Sequence, residues 1–219
     1  MQAKLPKKKK DLLETAKRLM IRNGFVATTI DEICNEAKVT KGSFYYYFKS
    51  KEDLGKVLVE QSMSCCAPES LEKELGQIKD PLDQIYAYLD FSIQMSHDDC
   101  MQECLIGVFA QELSESHPEI HVLCQKSFEE GIARLKSNLT AAKEKHTPNT
   151  EIDLEGLAES FVAAMQGSLI LMKVKNDPAV MERTLSHFKR YLESLFGHPA
   201  TRSIPPAART SKTRASTCF

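Results

Sequence analysis

Residues 28–54 read TTIDEICNEAKVTKGSFYYYFKSKEDL, and three helix starts follow one another within them. Thr29-Ile30-Asp31-Glu32 is a capping box, in which the threonine hydroxyl accepts a free N–H of the first turn and the glutamate reaches back to the threonine backbone. Thr40 caps a short helix from Lys41 to Phe48, and Ser50-Lys51-Glu52-Asp53 opens another. Lys38–Thr40 leaves room only for a turn between the first two. Two short helices joined in this way form a helix-turn-helix over residues 29–48. In that motif the second helix lies in the major groove with its N-terminal residues at base edges.

The third helix suits this task. Phe44 and Phe48 are four apart and anchor one face to a core with Val39 beneath, which leaves Lys41, Ser43, Tyr45 and Tyr47 facing outward. Gly42 has no side chain, so its backbone can approach a phosphate. Lys51, in the first turn of the next helix, and Thr28 and Thr29, at the start of the second, are candidate phosphate holders beside free backbone N–H groups. The competing reading is a small bundle with an aromatic core. At about 100° per residue, however, Phe44 and the run Tyr45-Tyr46-Tyr47 cannot all face inward.

Outward from this stretch the chain reads as helix. Leu12, Leu13, Ala16, Leu19 and Met20 give one apolar face to a helix from Lys8 to Asn23, with Gly24 at the left-handed C-cap and Phe25 following as the hydrophobic contact. Ile30, Ile33, Cys34 and Ala37 form the buried face of the second helix, and Leu54, Val57 and Leu58 that of the fourth. Longer helices follow at roughly 81–97, 102–115, 118–144, 153–175 and 178–196. Asp80-Pro81 and Asp177-Pro178 each read as an N-cap followed by proline at the first helical position. No stretch alternates with the period of a strand, so the fold class is all-α. The expected divisions are a flexible basic arm at 1–7, a helix-turn-helix domain at 8–66, a larger helical domain at 67–196 and a disordered tail at 197–219, rich in Pro, Ser, Thr, Ala and Arg.

The net charge of -1 conceals an asymmetry. Residues 1–60 hold 13 Lys+Arg against 8 Asp+Glu, 61–196 hold 12 against 22, and the tail holds 4 against none. A basic head on an acidic body suits a partner that is a polyanion at one end only. The seven cysteines are Cys34, Cys65, Cys66, Cys100, Cys104, Cys124 and Cys218. Their odd number and irregular spacing argue against a disulfide framework. No apolar run reaches the roughly 18 residues of a membrane span and the N-terminus lacks a secretory pattern, so the expectation is a cytoplasmic protein that engages no membrane.

The stretch Thr28 to Ile33, together with Ala37 to Leu54, resembles the DNA-binding domain of the TetR/AcrR family, and the likeness runs over about residues 8–66. It implies three N-terminal helices for DNA and about six more for ligand binding and dimerisation. It also implies that Thr29, Lys41, Gly42, Ser43, Tyr45, Tyr46, Tyr47 and Lys51 occupy DNA-facing positions. The family often has His where Tyr47 stands; Tyr retains the hydrogen bond to phosphate and adds bulk. Cys104-Leu105-Ile106-Gly107, continuing to Ala110-Gln111-Glu112-Leu113, resembles a stretch in one branch of the family whose members respond to electrophiles or small organic compounds.

Residue types alone leave the second half open. Cys100 and Cys104 share a helical face, with His97, His121 and Cys124 near in sequence. Three readings compete for Cys104: a buried small hydrophobe, a thiol made reactive by a helix N-terminus or a basic neighbour, and a metal ligand. Phe91, Met95, Cys104, Phe109, Phe128, Met165 and Leu169, with Met172, are candidates to line an effector cavity, although such residues at helical spacing also make ordinary core. Ala158, Ala163, Ala164, Gly167 and Ser168 permit close helix approach, so the last two helices are candidates for a four-helix homodimer face.

The expectation for function is a DNA-binding transcriptional regulator, acting as a repressor on a palindromic operator in double-stranded DNA and released by a small-molecule effector or an electrophile. No cofactor and no metal site is expected. One alternative is a DNA-binding protein of the same fold with no inducer, acting in chromosome organisation, which would carry no pocket above about 300 Å3. A cysteine enzyme is disfavoured because no nucleophile–base–orienter set and no Gly-rich phosphate loop is present.

Overall fold

The computed structural model describes residues 6–65, 69–97 and 104–197. It contains α1 (Lys7–Asn23), α2 (Ile30–Glu36), α3 (Lys41–Tyr47), α4 (Lys51–Cys65), α5 (Glu69–Leu75), α6 (Pro81–Met95), α7 (Leu105–Leu113), α8 (Pro118–His146), α9 (Leu154–Lys175) and α10 (Ala179–Phe196). No strand occurs among the described residues. The expected helices are present, and α5 is an addition. Its seven residues, ESLEKEL, are too short and too polar to show an apolar period.

The described residues pack into two units. The first comprises 6–65 with 104–127, and the second 69–97 with 128–197. This differs from the division expected along the chain at residue 66, because α7 and the first residues of α8 belong with the head. The parts expected as an arm and a tail fall largely outside the described residues, as do Cys66, Cys100 and Cys218.

In the first unit, the apolar stripe of α1 (Leu12, Leu13, Ala16, Leu19, Met20) is buried together with Ile33 and Cys34 of α2, Phe44 and Phe48 at α3, and Leu54, Leu58 and Val59 of α4. Arg18 of α1 and Glu36 of α2 pair at the surface at 2.7 Å. Phe25 anchors the α1–α2 connection, with its ring edge-to-face on Phe109 of α7 at 5.3 Å and on His117 at 5.1 Å. Such aromatic pairs add about 0.5–1.5 kcal/mol beyond burial. Phe25 lies so close over α4 that a Cβ on Gly55 would stand 2.9 Å from its ring, so only glycine admits this approach.

The second unit has its own core. Leu82, Ile85, Tyr86 and Leu89 of α6, Leu135 and Leu139 of α8, Leu157 and Phe161 of α9, and Leu185, Phe188 and Leu192 of α10 pack as one cluster. Asp80 caps α6 through the N–H groups of Leu82 at 2.8 Å and Asp83 at 3.4 Å, with Pro81 at the first helical position. At α10 the cap is shifted by one residue from the expectation, since Pro178 is the N-cap and the Asp177 carboxylate accepts the Ala179 N–H at 3.0 Å. By length and composition α9 is apolar enough to cross a membrane, yet Leu157, Ala158, Phe161 and Met172 on one side of it belong to this core.

Candidate DNA-binding site

The helix-turn-helix is built by local hydrogen bonds that its sequence dictates. At α2, the Thr29 Oγ1 accepts the Glu32 N–H at 3.1 Å, and the Glu32 carboxylate accepts the Thr29 N–H at 2.8 Å. The Thr29 N–H and hydroxyl both donate to the Glu32 carboxylate and hold it below its ordinary range. Lys38 closes the turn at φ 55°, a left-handed conformation. Thr40 then caps α3 by accepting the Ser43 N–H at 3.2 Å. At α4, the Ser50 Oγ accepts the Asp53 N–H, and Asp53 accepts the Lys49 N–H, both at 3.0 Å.

The two faces of α3 differ sharply. Phe44 is fully buried, as is Phe48 at its C-cap. Tyr45 is 56% exposed and Tyr46 81%. Tyr47 is half-buried, its ring edge-on to Tyr46 at 4.8 Å. Lys41 and Gly42 are exposed and Ser43 is half-buried. The Lys41 ammonium pairs with the Asp31 carboxylate of α2 at 2.7 Å, a bond that raises the lysine above its ordinary range. Near the C-terminal end of α3, the Lys9 ammonium lies 5.4 Å from the centre of the Phe48 ring.

Two of the candidate phosphate holders are engaged inside the protein. Thr28 is fully buried and its hydroxyl donates to the Gly24 carbonyl at 2.7 Å. The Lys51 ammonium donates to the carbonyls of Phe25 at 2.8 Å, Val26 at 3.2 Å and Thr28 at 2.8 Å, and it lies over the Phe25 ring at 4.6 Å. Its three protons are thereby all used. Burial pulls its ammonium below the ordinary lysine range against the opposing pull of Glu112 and Glu32. Of the other candidates, Thr29, Lys41, Gly42, Tyr45 and Tyr46 are exposed and Ser43 and Tyr47 are half-buried.

The candidate effector residues are divided between the two units. Cys104 and Phe109 belong to the first unit, whereas Phe91, Met95, Phe128, Met165 and Leu169 belong to the second. Phe109 is fully buried core against Phe25, and Met172 is buried in the second core. Phe91, Met95 and Phe128 are half-buried, and Met165 and Leu169 pack against the edge of that core. Cys104 is half-buried and caps α7, its Sγ accepting the Gly107 N–H at 3.3 Å. Cys124 is buried, which pushes its thiol up to about 11. Among the described residues no group of three or more His, Cys, Asp or Glu is placed to hold a metal.

An exposed tyrosine–lysine face on the second helix of a capped helix-turn-helix defines a DNA-binding regulator. The chain belongs to the TetR family of bacterial regulatory proteins: residues 12–56 match the model of its N-terminal domain, and residues 81–188 match that of the tetracyclin repressor-like C-terminal domain. It is similar to the transcriptional repressor NemR of Escherichia coli, at 25% identity over 83% of this chain and 92% of NemR. The crystal structure of reduced NemR superposes with a TM-score of 0.69 over 84% of this chain and 96% of that one. A regulator from the lacX 3' region of Lactococcus lactis is 26% identical over 85% of this chain and 94% of its own length. The regulatory protein TetR from Rhodobacter sphaeroides shares the fold at a TM-score of 0.72 and 23% identity, over 83% of this chain and 97% of that one. The family is one of transcriptional regulators, not of enzymes.

Proposed function

We propose that the chain is a cytoplasmic homodimeric repressor that holds a palindromic operator in double-stranded DNA and releases it when an effector or electrophile acts on the helices that follow the helix-turn-helix. The observation that carries this reading is the pair of exposed tyrosines, Tyr45 and Tyr46, on a helix pinned from behind by Phe44 and Phe48. Exposed rings beside Lys41 and Gly42 suit a surface that meets bases and phosphates.

A dimer is supported by a second surface. Ile170, Leu171 and Val174 of α9 and Tyr191 of α10 are large apolar side chains left exposed, and around Gly167 no atom lies within 4 Å of where a Cβ would stand. Two copies joined through these helices would form a four-helix interface, and their recognition helices would then read half-sites about 34–36 Å apart. For the release step, Cys104 is a half-buried thiol at a helix N-terminus, a position at which thiols can be activated toward electrophiles. Phe91, Met95, Phe128, Met165 and Leu169 are the side chains a reversible apolar effector would meet.

The test is fluorescence anisotropy with the purified chain and DNA from the region flanking its gene, at two salt concentrations, with and without N-ethylmaleimide. Tight, salt-sensitive binding abolished by the reagent, and kept when Cys104 is replaced by Ser, supports the whole reading. Tight binding indifferent to the reagent keeps the regulator and sets aside the thiol trigger. Equal binding to unrelated duplexes overturns the operator-specific repressor in favour of a protein of chromosome organisation.

A further inference from the structure

The backbone between α1 and α2 is held by side chains from elsewhere in its unit. The Glu112 carboxylate, on α7, accepts the N–H of Phe25 at 2.7 Å through one oxygen and that of Val26 at 2.9 Å through the other. Lys51, on α4, takes the carbonyls of Phe25, Val26 and Thr28. One residue pair thus satisfies five polar groups of a surface connection in which Val26 is itself exposed. Water would ordinarily solvate such groups. The fit is close as well as polar: a Cβ on Gly24, whose φ is +87°, would stand 2.9 Å from the Glu112 carboxylate.

The connection leads directly to the helix-turn-helix. Thr28, whose carbonyl is on Lys51 and whose hydroxyl is on Gly24, immediately precedes Thr29, the cap of α2. At its other end α7 begins at the Cys104 cap. Charge-assisted hydrogen bonds at 2.7–2.9 Å lose most of their strength when stretched beyond hydrogen-bond range. Glu112 therefore either carries α2 along with α7 or lets go of it.

We propose that Glu112 is the positioning residue through which α7 and the helix-turn-helix sense each other, its carboxylate gripping the Phe25 and Val26 N–H groups while Lys51 grips the carbonyls beside them. This rests on the reading of the chain as a DNA-binding regulator, and it names the element by which occupancy of one part is felt in the other. Coupling is reciprocal: if α7 controls the helix-turn-helix, DNA on the helix-turn-helix changes α7. The reciprocity permits a test without an identified effector.

The experiment is hydrogen–deuterium exchange with mass spectrometry on the full chain, with and without a duplex selected from a random library by the wild-type protein. Anisotropy on the same samples reports DNA binding. In the wild type, DNA slows exchange of the α7 amides at least about five-fold, the lower end of ordinary coupling. Glu112→Gln keeps the side chain's size but offers one acceptor oxygen in place of two. It still binds the duplex, its Phe25 and Val26 amides exchange faster, and DNA no longer changes α7. A duplex that binds the wild type tightly yet leaves α7 exchange unaltered overturns the proposal without any variant. So does an unchanged response in Glu112→Gln. Failure of the wild type to bind any selected duplex overturns the regulator reading itself, and the coupling with it.

Discussion

Lys41 and Asp31 face each other across the helix-turn-helix, with 2.7 Å between ammonium and carboxylate and both side chains more exposed than buried. An exposed pair of this kind adds little to stability. Its position matters more, because it sets a negative charge beside the surface proposed to meet DNA and occupies a lysine that a phosphate would otherwise take. Asp31→Asn is expected to tighten binding to random duplex at low salt about two- to ten-fold and to steepen the salt dependence by about 0.9 in logarithmic slope, one additional phosphate contact. Anisotropy titrations at four salt concentrations measure both. Weaker binding, or a shallower slope, would show that Asp31 instead positions Lys41 for a base.

The two faces of α3 predict opposite phenotypes. Tyr46 is 81% exposed, so Tyr46→Ala should leave thermal stability within about 0.5 kcal/mol of the wild type while weakening operator binding ten-fold or more. Phe44 is fully buried, and Phe44→Ala should cost about 3–5 kcal/mol of stability. Circular dichroism melts paired with anisotropy separate the two effects. A Tyr46→Ala protein that binds DNA normally would remove the central support for α3 as the reading helix.

The contrast between these faces is readable in the sequence because the bonds that set the helix and its register are local. The capping box joins Thr29 to Glu32, Thr40 caps Ser43, and Phe44 and Phe48 lie one turn apart. What escaped reading depends on distance along the chain. Lys51 was expected at a phosphate because it stands in the first turn of α4, but its partners are the carbonyls of 25, 26 and 28, which no periodicity connects to it. Glu112 lies 87 positions from the Phe25 amide it holds, and nothing in the residues around it signals that role. Phe109 is a cavity candidate by its type, and only packing shows that its neighbour is Phe25. The short α5 is silent in the sequence because its seven largely polar residues carry no amphipathic signal.

Replacing Lys51 should therefore disturb the fold of the head rather than subtract a phosphate contact. Lys51→Met leaves three carbonyls without their donor, a loss of about 1–3 kcal/mol, with a lowered melting temperature and faster exchange of the 24–28 backbone. The logarithmic salt slope of DNA binding should stay within error of the wild type. A slope reduced by about one unit at unchanged stability would restore Lys51 to the DNA.

The apolar side chains on the outer side of α9 make their own test. Leu171→Glu with Val174→Glu places two charges on exposed positions, so the fold of the second unit should be unaffected. A dimer formed through that surface should dissociate, because two unpaired carboxylates would be buried in each half of the interface. Light scattering after size-exclusion chromatography is expected to read a dimer for the wild type and a monomer for the double variant, with operator affinity falling in parallel. A variant that remains dimeric would move the interface elsewhere.

Acid should weaken the second unit through Asp80. Burial raises the Asp80 carboxyl, but hydrogen bonds from Lys145 and His146 and from the Leu82 and Asp83 N–H groups outweigh it, holding the group well below its ordinary value of 3.8. The folded carboxyl is thus the stronger acid. Its contribution is complete above the unfolded value and drains away as pH falls from about 4 toward the lower folded value, where the carboxyl protonates and loses its partners. Asp80→Asn should cost about 1–2 kcal/mol at pH 7, mostly the charged bonds to Lys145 and His146, since an amide oxygen still caps α6. It should also flatten the decline in stability between about pH 4 and pH 2, the window set by that linkage. Urea melts across this range measure both slopes. A variant that declines as steeply as the wild type would show that some other carboxylate controls the acid limb.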